Sequence, residues 1–326
     1  MLRIATIGTG NIVRSFLGAV KLLKYKFTLT TVCSRTYERG LAFGEDFGCT
    51  DITTDINVLA KRKDVDAVYI ASPNSLHYEH ALLMLKNKKH VLLEKPAVVT
   101  TEQLLALHKA AEENGVVILE AIIPMFVPAR KRVKEAIDKI GKVNLAKFQY
   151  CQYSSRYDDF KGGRVANVFS KEFAGGALMD LGVYCIYPAI DLFGIPQKIT
   201  AKGSILDTGV DSNSAVIMEY EDKLVSIVAS KNTQSDIPSE ILGEKGNIKF
   251  GMISRYEDID LEIDGEKENL EGNFQKEESM SYEVDFFYNL ITNFDMYKEE
   301  YVELLDLSLK VCAVLEKTRK IMGLDF

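Results

Sequence analysis

Over its first 122 residues the chain alternates short apolar runs with helix-like segments, a pattern few folds tolerate. Apolar runs at 3–7, 28–33, 67–71, 90–93 and 116–121 are separated by helical periodicity over 11–24, 38–47, 75–87 and 101–114. Runs that lack polar alternation must be covered on both faces, which a parallel sheet flanked by helices provides. This half is therefore expected to be a doubly wound α/β domain.

After Pro124 the pattern changes. An amphipathic helix is expected over 128–140, closed by Gly141, and period-two stretches follow at 145–153, 214–219 and 224–230. One helix is expected around 176–193 and a terminal pair over 277–322. This reads as an α+β domain with a large, mostly antiparallel open sheet. The chain of 326 residues is thus divided into domains 1–122 and 123–326. The acid-rich stretch 257–285 reads as a solvated strand-turn surface.

Forty Lys and Arg against 47 Asp and Glu leave a net charge of −7, which disfavours nucleic acid and anionic membranes as partners. Five cysteines, at 33, 49, 151, 185 and 312, have no paired spacing, so neither disulfide framework nor metal site is expected, and the compartment read from them is the cytoplasm. The N-terminal residues enter a strand pattern directly, without the features of a cleavable leader. The apolar stretch 116–127 is interrupted by Glu120 and Pro124 and falls short of the ~18 residues a membrane span needs.

Gly8-Thr9-Gly10-Asn11-Ile12-Val13 follows the first strand and opens the first helix. Gly8 permits a tight turn and Gly10 a close backbone approach to a pyrophosphate at the helix N-terminus, so residues 8–12 are expected to bind a dinucleotide. Val13 departs from the Gly or Ala of that fingerprint. At the end of the second strand Ser34, Arg35 and Thr36, with Arg39 a turn later, stand where an acid would meet the ribose of NAD. These groups can donate to a 2′-phosphate, which favours NADP, with NAD as the alternative. Ser72-Pro73-Asn74 with His77, and Glu94-Lys95-Pro96, also lie at carboxyl ends of strands, where ligands of open α/β sheets bind. His77 and His80 lack a third ligand in view, so metal is not expected. Paired Gly175 and Gly176 precede a helix whose Asp180 and Tyr184 share a face, and a buried Asp there needs a partner such as Lys95 or a substrate hydroxyl.

With these motifs in this order, Gly8-Thr9-Gly10, Pro73-Asn74-Ser75-Leu76-His77, Glu94-Lys95-Pro96 and Gly175 to Tyr184, the chain resembles the Gfo/Idh/MocA oxidoreductases over essentially its whole length. The resemblance implies an N-terminal Rossmann domain, a C-terminal substrate-binding sheet domain, and a homodimer or homotetramer. Sugar and inositol dehydrogenases of the family usually carry His where Tyr184 stands and often Asp where Tyr187 stands. Tyr184 and the upstream Arg164-Val165 resemble the branch of dimeric dihydrodiol dehydrogenase and NADP-dependent D-xylose dehydrogenases.

The expected activity is hydride transfer between a nicotinamide and a secondary alcohol or carbonyl of a small sugar, polyol or vicinal-diol substrate. Tyr184 is expected to be the general acid/base, its phenol pKa lowered from about 10 by the Lys95 ammonium, with Asp180 orienting Lys95 or a substrate hydroxyl. His77 is expected beside the nicotinamide ribose or substrate. Two rival readings are that Lys95 carries the proton, and that the protein senses the cofactor without turnover. Specificity is expected from loops 153–173 and 233–238.

Overall fold

The early apolar runs become six parallel strands in the computed structural model, which describes residues 1–272 and 274–326. Strands β1 (Leu2–Ile7), β2 (Phe27–Cys33), β3 (Ile52–Thr53), β4 (Ala67–Ile70), β5 (His90–Glu94) and β6 (Ile118–Ala121) order themselves β3-β2-β1-β4-β5-β6. Helices α1 (Asn11–Leu22), α2 (Tyr37–Glu45), α3 (Ile56–Lys61), α4 (His77–Lys86) and α5 (Thr101–Asn114) connect them. All four residues of β4 are buried, as a strand covered on both faces requires. Helix α5 shows how local chemistry sets the boundaries. A capping box of Thr100 and Gln103 starts it, and Gly115 ends it at φ 64°. The strand order reverses between β1 and β4, which is the ligand crevice of doubly wound sheets.

A second sheet of eight strands comprises β7 (Val143–Cys151), β8 (Lys198–Ile205), β9 (Asp211–Glu219), β10 (Leu224–Ser230), β11 (Ser239–Gly243), β12 (Gly246–Met252), β13 (Glu257–Ile263) and β14 (Glu266–Glu271). Its order is β14-β13-β12-β11-β7-β10-β9-β8, antiparallel throughout except for the parallel pair β7 and β10. Period-two patterning buries one face, with Val216, Met218, Val225 and Ile227 inside, and leaves Ile217 and Val228 exposed on the other. Helices α6 (Ala129–Ile137), α7 (Ser155–Lys161) and α8 (Val183–Phe193) belong with it. Lys171–Phe193 is long and apolar enough to cross a membrane by composition, but 83% of its most apolar window is buried inside the protein.

Two helices close the chain, α9 (Lys276–Thr292) and α10 (Phe294–Met322). They alter the linear division expected at residue 122. One compact unit comprises Met1–Ile122 with Gln275–Leu309, and the other Ile123–Phe274 with Lys310–Phe326. Within the first unit, Phe287 stacks on Phe27, Lys26 pairs with Asp285, and Tyr301 accepts a hydrogen bond from the Ile118 amide at 3.2 Å. Periodicity identifies the buried face of a helix but not the sheet it will cover. The acid-rich stretch needs a similar correction: residues 257–271 are strand and turn, yet Glu257 is buried beside Arg255 and Glu283 is fully buried on α9.

Candidate active site

In the first unit the turn after β1 is built for close approach. Gly8 has φ +115°, and a Cβ there would lie 2.7 Å from the Ala71 carbonyl oxygen, so a side chain is excluded. Gly10 has open space around it and starts α1 with no side-chain cap, which leaves the Asn11 and Ile12 amides to face an anion, the Val13 amide being bonded to the Gly10 carbonyl. Arg39 Nε donates to Thr9 Oγ1 at 2.8 Å, bringing a guanidinium to this turn from the start of α2. Thr36 caps α2 by accepting the Arg39 amide, and its hydroxyl can still donate. Arg35, Thr36 and Arg39 are exposed, whereas Ser34 is buried, its amide bonded to the Thr53 carbonyl. The turn and its flanking donors fit a phosphorylated dinucleotide.

The next two turns are tied together by histidine. His77 is buried, with Nδ1 3.0 Å from the Pro96 carbonyl and Nε2 2.8 Å from the Ser72 carbonyl. Burial holds its pKa down to about 4, so it is neutral and donates to one of the two carbonyls. His80 Nδ1 lies 3.0 Å from Ser72 Oγ. His77 thus ties the Ser72-Pro73-Asn74 turn to the Lys95-Pro96 turn through its two ring nitrogens. Among the described residues no group of three or more His, Cys, Asp and Glu is placed to hold a metal.

Glu94 also turns inward. It is buried and accepts the Tyr69 hydroxyl, and burial raises its pKa, with fully buried Glu283 near enough to feel its charge. Glu94 lies under the turn, and half-buried Lys95 is the member of that motif that reaches the surface.

In the second unit the paired glycines have separate causes. A Cβ on Gly175 would meet the Val168 carbonyl at 2.4 Å, and one on Gly176, at φ +109°, would meet Asp211 Oδ1 at 2.2 Å. Asp211, fully buried at the start of β9, accepts the Leu178 amide at 2.8 Å and so caps the segment that follows. That segment is a π-helical turn, Leu178–Gly182, rather than the regular helix expected, and it carries Asp180 into α8 with Tyr184. Such bulges re-aim side chains and recur at functional sites. Ala177 and Leu181 pack on Ala229 of β10, with Tyr150 alongside. Tyr184 meets Tyr150 edge to face at 5.7 Å. Tyr150 also lines a cavity of about 170 Å³ that mixes amides and a carboxylate, Gln149, Gln152, Gln234 and Asp236, with apolar Ile237 and Ile253.

Desolvation pushes the Asp211 carboxyl up to about 6 from 3.8. A folded pKa above the unfolded one means that the folded state holds a proton the unfolded chain has lost, so stability falls as pH rises through that window. Over pH 4 to 7 this amounts to roughly 2–3 kcal/mol. Asp211→Asn keeps an acceptor for Leu178 and removes the titration. Thermal unfolding of the variant should show a flatter pH dependence than the parent, and an unchanged pH dependence would exclude Asp211 as its source.

Residues 2–121 match the oxidoreductase family with an NAD-binding Rossmann fold, and residues 130–249 match the GFO/IDH/MocA C-terminal domain. Over 327 aligned positions, covering all of this chain and 98% of the relative, the chain is 40% identical to the scyllo-inositol 2-dehydrogenase (NADP(+)) IolU of Bacillus subtilis. The chain belongs to the GFO/IDH/MocA oxidoreductase family. It is an oxidoreductase with an NAD(P)-binding Rossmann domain. Mouse trans-1,2-dihydrobenzene-1,2-diol dehydrogenase is 27% identical over all of this chain and 98% of its own. The 3-ketoreductase KijD10 of Actinomadura kijaniata, solved with NADP and TDP-benzene, has the same fold, with a TM-score of 0.84 at 22% identity over 98% of each chain.

Within this family member, sequence reading passed over two residues of the second unit, Asp211 and Lys231. Lys231 Nζ forms an ion pair with Asp180 Oδ2, with only 8% of the lysine side chain exposed. The available signal was a lysine directly after an apolar strand, because a buried ammonium demands a counter-charge. Asp180 therefore has a cation within its own unit. Tyr187 is buried, so the position where relatives often carry Asp faces the interior here.

Proposed function

We propose that this protein is an NADP-preferring dehydrogenase or reductase acting on a secondary alcohol or carbonyl of a small polyhydroxylated ring, such as an inositol, a sugar or a vicinal diol. The observation that carries the cofactor preference is the donor set around the phosphate turn: exposed Arg35 and Thr36, and Arg39 tied to Thr9, with no carboxylate in the Ser34-Arg35-Thr36 run. The substrate class is supported by the 40% identity to an inositol dehydrogenase and by the amide and carboxylate groups in the cavity beside Tyr150.

When bound, the nicotinamide supplies the hydride acceptor or donor. The uncapped start of α1 and the Gly8 turn hold the phosphates, and Arg35 and Arg39 neutralise the 2′-phosphate. Tyr184 exchanges the hydroxyl proton of the substrate, Asp180 accepts a hydrogen bond from a substrate hydroxyl, and the Lys95 ammonium favours the anionic form of an oxygen that loses its proton. Exposed Ile217, Leu224 and Val228 on the open face of the second sheet support a homodimer or homotetramer, and five buried free cysteines suit a reducing cytoplasm.

Turnover with NADP and NAD in parallel, across inositols, aldoses and vicinal diols, tests this reading. The expected result is a change in nicotinamide absorbance with at least one ring polyol and a kcat/KM at least about tenfold higher with NADP. Tight NADPH binding without turnover on any member of the panel would defeat it.

A further inference from the structure

Lys231 lies where the main chain leaves it little freedom. Its amide donates to the Ser212 carbonyl at 2.8 Å, and its carbonyl accepts the Ser154 amide at 2.9 Å, so its backbone is tied to neighbouring segments on both sides. Its ammonium is paired with Asp180 on the π-helical turn that precedes Tyr184. The two partners differ in access: 31% of the Asp180 side chain is exposed against 8% for Lys231. A ligand can therefore reach the carboxylate, while the lysine sits behind it.

We propose that Lys231 is a positioning residue for the reaction, a second lysine that holds Asp180 aimed as the hydroxyl acceptor next to Tyr184. This rests on the reading of Asp180 and Tyr184 as substrate-facing groups. A carboxylate on a helical turn can change rotamer, whereas a buried ammonium whose main chain is held on both sides restrains it at the oxygen itself. Burial of Lys231 also makes the pairing obligatory, because an unpaired ammonium there would lose its solvation without compensation. The effect of Lys231 should accordingly pass through Asp180 and disappear when that carboxylate is gone.

The test is a double-mutant cycle on kcat and KM with the best substrate of the panel, using Lys231→Met, Asp180→Asn and their combination in the full chain, with Lys231→Arg as the conservative rescue. Lys231→Met should lower kcat/KM by about 10- to 100-fold without changing NADPH affinity, the double variant should be no worse than Asp180→Asn, and Lys231→Arg should recover most of the loss. Multiplicative losses in the double variant, or a Lys231→Met enzyme within about twofold of the parent, would overturn the proposal. If Lys231→Met does not fold, Lys231→Gln takes its place in the cycle, and failure of Met, Gln and Arg variants alike to fold would assign the pair to stability and overturn it too. Normal turnover by Asp180→Asn and Tyr184→Phe would instead defeat the underlying reading of the face, an outcome distinct from an impaired Asp180→Asn beside an unimpaired Lys231→Met.

Discussion

Tyr184→Phe is expected to lower kcat by about 10²- to 10⁴-fold while leaving NADP affinity unchanged, the loss that follows removal of a general acid/base. The substitution is suited to the purpose because it deletes one oxygen. The ring stays, and with it the edge-to-face contact with Tyr150 at 5.7 Å. Lys95→Met is the necessary companion. If Tyr184 carries the proton, both variants lose turnover. If Lys95 carries it, Tyr184→Phe stays within a few-fold of the parent and only Lys95→Met collapses. Pre-steady-state reduction of NADP, monitored by absorbance, separates a slowed chemical step from slowed product release.

How far the sequence foretold these roles differs by element. Strands β4 and β5 were legible because a strand buried on both faces has no polar alternation to disguise it. The glycines at 8 and 176 were legible as motif positions, but their physical causes, the Ala71 carbonyl and the Asp211 carboxylate, come from segments distant in sequence. Distance along the chain also hid the rest. His77 is four residues from Pro73 in a motif that suggests chemistry, yet its two ring nitrogens meet main-chain carbonyls of Ser72 and Pro96, which no local pattern encodes. The π-helical turn at 178–182 was invisible to a 3.6-residue periodicity. Lys231 and Asp180 are 51 positions apart and meet only because β10 ends beside that turn. Sequence patterns report which side chains an element buries; they do not report which charge will be waiting there.

The second large effect concerns the cofactor. Arg35→Ala combined with Arg39→Ala should raise the KM for NADP by about 10²- to 10³-fold, since each charge-assisted bond to phosphate contributes roughly 1.5–3 kcal/mol. The KM for NAD should change little, because the ribose of NAD has a hydroxyl where NADP has the phosphate, and neutral hydroxyls gain less from a guanidinium. The single variants should differ from one another. Among the described residues Arg39 uses only Nε internally, toward Thr9 Oγ1 at 2.8 Å, so its other donors face outward from a side chain already held in place. Arg35 is exposed and makes no such bond among the described residues, and it must give up more side-chain entropy to reach the same phosphate. Arg39→Ala is therefore expected to cost more than Arg35→Ala, and Arg39→Lys to recover little, because a point charge cannot bond Thr9 and the phosphate at once in the geometry of the guanidinium fork. Kinetics with both cofactors at low and high salt would check the order. Equal losses with NADP and NAD would move both arginines from the 2′-phosphate to the pyrophosphate that the two cofactors share.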